Sequence, residues 1–130
     1  MSALIEERLA AWLATQGQGT VNRDIFLQRR PTKPLACLCL RRLTASGPHT
    51  YHGTRFPHLL LTVRRASEQA ALQKADELLG LLHGRHHLDL GGGLYCYGLT
   101  VLSEPTSLGD ETLPDGTGYL AGFNLEILQA

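Results

Sequence analysis

Two stretches of the chain, PLACLCLRRL (residues 34–43) and FPHLLLTVRR (residues 56–65), are apolar at both odd and even positions. A strand with one wet face would alternate, so each of these is covered on both faces or meets another protein surface. Both close on an arginine pair, Arg41 with Arg42 and Arg64 with Arg65. Neighbours on a strand point to opposite faces. Each pair therefore sets one guanidinium on either side of the sheet, as expected near a rim that water or a partner reaches.

The rest of the chain supplies what such strands pack against. Residues 2–17 read as a helix with Leu4, Ile5, Leu9, Trp12 and Leu13 on one face, Ser2 as its cap, and Glu6 and Glu7 at the positive end of its dipole. DIFLQRR (24–30) reads as a short strand ended by Pro31 and Pro34. After the second apolar stretch, Ser67 opens a helix whose stripe is Leu72, Ala75, Leu79 and Leu82, widened by Leu78, with Gly84 as its left-handed terminator. Residues 86–90, 94–103 and 119–128 read as three further strands, the last with Tyr119, Ala121, Phe123, Leu125 and Ile127 on one face. Residues 44–54, and the Pro-, Gly- and acid-rich residues 104–118, read as loops, the second of them a long loop or hairpin tip. The order α-β-β-β-α-β-β-β implies one α+β domain over residues 1–130, a mostly antiparallel sheet with two helices packed on it.

Composition narrows the function. No run approaches the roughly 18 apolar residues of a membrane-spanning helix, and Glu6 and Glu7 stand where a signal peptide would be positive. Three cysteines without paired spacing suggest reduced thiols, buried as small hydrophobes. The net charge is zero, but its distribution is not even. Residues 1–65 carry ten Lys/Arg against three Asp/Glu, and residues 66–130 carry two against nine, so the halves are +7 and −7. Opposite charge on two sectors suits head-to-tail docking of identical copies, which needs two different, matching faces.

No residue set commits to chemistry. His83, His86 and His87 straddle the end of a helix and share no ligating face, so no metal is expected. Cys37 and Cys39 share a strand face but lack two further ligands. Gly91–Gly93 leads into a strand, whereas a phosphate loop leads into a helix. No nucleophile elbow and no spaced carboxylate pair is present, so no catalytic residue and no cofactor is expected.

The segments GTVNRDIFLQRRP, HLLLTVRRASEQAALQKADELLGLLHG, LDLGGGLYCYGL and YLAGFNLEI, in that order over nearly the whole chain, resemble the phage minor capsid and tail-terminator (tail-completion) proteins. The resemblance implies a non-enzymatic virion protein made in the bacterial host cytoplasm. It implies a homohexameric ring at the head–tail junction, bound to tail-tube and head-completion proteins, with DNA passing through its lumen. The two loops would face neighbouring proteins or the lumen. Interface residues are then expected at Arg41, Arg42, Arg64 and Arg65 on the strand ends and at Asp110, Glu111 and Asp115 on the acidic loop. Charge reversal at Arg64 or Arg65 should weaken the ring and leave the monomer folded. The alternatives are a head-closure or tail-tube protein, and a small metal-binding module or enzyme.

Overall fold

The computed structural model describes residues 4–43, 56–91 and 93–129. The elements run α1 (Ile5–Thr15), β1 (Ile25–Leu27), β2 (Cys37–Leu43), β3 (His58–Arg65), α2 (Glu68–Leu82), β4 (His86–Gly91), β5 (Leu94–Val101), β6 (Thr106–Leu113) and β7 (Gly116–Gln129). The expected order is present, and so is the mostly antiparallel sheet with two helices. One strand is added: β6 forms inside the stretch read as a loop or hairpin tip. That strand is exposed along most of its length and pairs only with β7, so it carries no apolar alternation to betray it. The expected loop at 44–54 lies outside the described residues.

The seven strands form one sheet in the order β1-β2-β3-β7-β5-β4, with β6 also on β7. Only β1 and β2 are parallel. The 14-residue β7 is the spine. One of its edges takes β3, from His58↔Glu126 to Arg65↔Tyr119. The other edge takes β5 near its end, at Val101↔Leu125, and β6 near its start, at Thr106↔Gly122 to Leu113↔Gly116.

Both helices cover the same face of this sheet. Ile5, Leu9 and Leu13 of α1 enter one core with Leu38, Leu40, Leu61, Val63, Phe123 and Leu125 from the strands. On α2 the buried line is Ala71, Ala75, Leu78 and Leu82, while Leu72 and Leu79 are half-buried at its margin. The stripe is thus rotated from the one expected, because alanines at 71 and 75 let the helix backbone sit close to β3 and β7. Ser67 caps α2, its Oγ accepting from the Ala70 amide at 3.1 Å, and Gly84 follows at φ +79°. Helix α1 opens on Leu4, which offers no side-chain cap, and Ser2, the expected cap, lies outside the described residues. The three cysteines are free and buried, Cys96 in the helix-side core and Cys37 and Cys39 on the opposite face of β2. Among the described residues no helix is long and apolar enough to cross a membrane.

Candidate subunit interface

The face of the sheet away from the helices has its own cover, which begins with Arg64. Val63 faces the core, so Arg64 points to the other side. There it is 1% exposed, the largest fully buried side chain among the described residues. Its Nε donates to the Leu35 carbonyl at 2.8 Å, and its Nη2 to the carbonyls of Pro34, at 3.0 Å, and Pro31. Nη1 meets Glu111 Oε1 at 3.3 Å, and the same oxygen takes Arg30 Nε at 2.8 Å. The connection from β1 to β2 is thereby strapped across the sheet and tied to the β6–β7 hairpin. Gly118 of β7 makes room for this, since an added Cβ would lie 2.6 Å from Arg64 Cδ. Burial alone would raise the Glu111 pKa; the two guanidiniums outweigh that and hold it below 4.5.

Arg64 therefore does not lie on the open rim expected of it. Its head group satisfies three main-chain carbonyls, which no rim residue does. Glu111 likewise spends its carboxylate inside the chain, on two arginines.

Arg42 is also engaged, on the helix side. Its Nη2 donates to Glu6 Oε1 at 2.6 Å, while Gln28 Nε2 donates to Glu6 Oε2 at 2.6 Å. The Arg42 amide donates to Gln28 Oε1 at 3.2 Å, closing the triangle. Gln28 reaches this position with φ at +67°, a strained setting for a side chain longer than Asn. In the sequence Glu6 reads only as a dipole partner at the start of α1, yet it is 1% exposed and ties that helix to β2 and to the strap. A buried carboxylate is tolerated where it is paired, and the pairing is across 36 positions of sequence that no local pattern reveals. Burial pushes the Glu6 pKa up, but hydrogen bonds from Arg42, its own main chain and Gln28 leave it below 4.5. A carboxyl with a lowered native pKa stabilises the fold above its unfolded value and loses that contribution as pH falls through the native value. Glu6→Gln is expected to cost about 2 kcal/mol at neutral pH. It should also flatten the acid-side fall in stability, read as urea midpoints at pH 7 and about pH 3.5.

The remaining expected residues are accessible to different degrees. Arg41, Asp110 and Asp115 are exposed, and Arg65 is half-buried. Their surroundings separate by charge. Arg23 is exposed just before β1 and Arg41 on neighbouring β2, with Arg29 and Lys33 exposed on the strap between the two strands. Glu104, Asp110 and Asp115 are exposed on or beside β6, across β3 and β7. Exposed base thus gathers beside β1 and β2 and exposed acid around β6, while the strap brings the two together inside the chain at Arg30 and Glu111. The histidines sit elsewhere: His86 and His87 are exposed on β4, and His87 Nδ1 lies 3.2 Å from the Tyr95 hydroxyl. Among the described residues no three His, Cys, Asp or Glu side chains converge as a metal site.

A sequence model of the family described as bacteriophage tail terminator protein matches residues 12–127. The chain belongs to that family. A phage tail terminator is a structural component of the tail, and the two charged borders are read in that light. No curated protein matches the chain. One solved structure, identified only by a sequence number, has a TM-score of 0.47 at 18% identity, covering 94% of this terminator and 89% of the other chain.

Proposed function

We propose that this terminator closes the phage tail tube as a homohexameric ring at the head–tail junction, with DNA passing through its channel. Copies join head to tail, the basic border around β1 and β2 of one against the acidic β6 border of the next. What supports this is that exposed Arg23 and Arg41 lie at the β1–β2 border, while exposed Glu104, Asp110 and Asp115 lie on or beside β6, in a protein of zero net charge. A closed ring needs two different complementary patches, and opposite charge both steers and registers them. Arg41, Arg65, Asp110 and Asp115 are the interface residues of this reading; Arg42, Arg64 and Glu111 support the borders from within. The role is that of a virion part, supported by the family, with tail-tube and head-completion proteins as its further partners.

Electron microscopy of purified tails tests this. Tails assembled with the protein should end in a single capping ring. Long filaments of the protein alone would identify a tube subunit instead, and binding to capsid portals but not to tails would identify a head-closure factor.

A further inference from the structure

At the end of the sheet where β2 begins, a cavity of about 460 Å³ opens between the loop after α1 and the start of β2. One wall is apolar, from Pro34, Ala36 and Leu38; the other carries Arg23, Asp24 and Arg65. Arg65 is the unusual member. It is half-buried, and its Nη1 donates to two main-chain carbonyls, those of Arg64 at 2.9 Å and Cys37 at 3.3 Å. Among the described residues it makes no ion pair, whereas Arg30, Arg42, Arg64 and Lys74 each have a carboxylate. Burial pushes its pKa down, against weaker opposing effects that include Asp24. A part-buried cation without a counter-ion is a site that a carboxylate would stabilise.

The chain also carries a projection of matching chemistry. The β6–β7 hairpin closes at Leu113↔Gly116, leaving Pro114 and Asp115 exposed at its turn. Gly116, at φ +132°, allows the tight reversal. Asp115 makes no ion pair among the described residues. An apolar proline beside a free carboxylate is what a cavity with an apolar wall and a net-positive wall would accept.

We infer that the Pro114–Asp115 turn of one copy docks in the Arg23–Arg65 cavity of the next, the Asp115 carboxylate supplying the counter-ion that Arg65 lacks. This rests on the ring reading above and specifies the contact that registers neighbouring copies. Apolar contact of Pro114 with Pro34 and Ala36 accompanies the charge pair. The contact is heterologous, turn to cavity, so it is satisfied at every junction of a closed ring and leaves one cavity and one turn free at the ends of an open chain.

Four proteins test it: wild type, Asp115→Arg, Arg23→Glu and the double variant, each assayed for assembled mass by analytical ultracentrifugation, alone and with purified tails. Residues 23 and 115 are exposed, and unchanged urea midpoints will confirm that the variants fold. Each single reversal is expected to weaken assembly by about tenfold or more, because like charges then face each other. The double variant, in which the arginine at 115 meets carboxylates at positions 23 and 24 although Arg65 still opposes it, should assemble at least about threefold better than Asp115→Arg alone. If wild type assembles and the single reversals assemble equally well, the turn–cavity contact is overturned while the ring stands. If wild type remains a monomer even with tails, the ring reading and this contact fall together.

Discussion

Arg64→Met is expected to lower the unfolding free energy by about 4 kcal/mol. Methionine keeps the apolar stem but removes every donor. The carbonyls of Pro31, Pro34 and Leu35 then lose their shared partner, and Glu111 keeps only Arg30. Removing one side of a buried polar network leaves the other side desolvated and unmet, which costs more than the bonds contribute net. Urea unfolding at pH 7 reads the loss directly. Arg64→Glu should yield no folded protein, since it places a carboxylate against three carbonyls. A midpoint unchanged by Arg64→Met would mean that the strap is held by something other than this guanidinium.

Gly122→Ala should be comparably severe for a different reason. Gly122 lies mid-way along β7, paired with Thr62 of β3 and Thr106 of β6. A methyl group added there would overlap the main-chain carbonyl of Leu61, and main chain in the middle of a sheet cannot step aside. A loss of about 3 kcal/mol is expected, at the upper end for overpacking. Gly80→Ala is the matched control. Gly80 is exposed on α2 with nothing within 4 Å of an added Cβ, so that change should stabilise the protein by up to about 1 kcal/mol. Thermal melting of the two variants beside wild type separates steric overlap from any general effect of glycine replacement.

The parts legible in the sequence are those that announce themselves over short distances. Strands β2 and β3 were readable because they are apolar at both parities, and both of their faces are covered, one by helices and the other in part by the strap. Helix α2 was readable from its stripe, its Ser67 cap and its Gly84 terminator. Strand β6 was hidden because its partner, β7, supplies the apolar residues of the pair. The arginine pairs show where local reading stops. Alternation correctly sends Arg41 and Arg42, and Arg64 and Arg65, to opposite faces. What lies over each face is decided by residues far away: Glu6 for Arg42, and Glu111 with the 31–35 carbonyls for Arg64. Nothing in the spacing of a double arginine distinguishes a guanidinium that anchors a strap from one that awaits a partner. The charge asymmetry between halves is visible as a count, but where the charges lie is set by the sheet order and by the strap, which brings Arg30 of the basic half onto Glu111 of the acidic half.

In the proposed ring, identical copies meet through different faces and close on themselves. Native mass spectrometry of the complex released from the ends of purified tails tests that most directly. A single species of six copies, dissociated by raised salt and by Asp115→Arg, is the predicted result. One copy per tail, or an unbounded ladder of masses insensitive to salt, would contradict it.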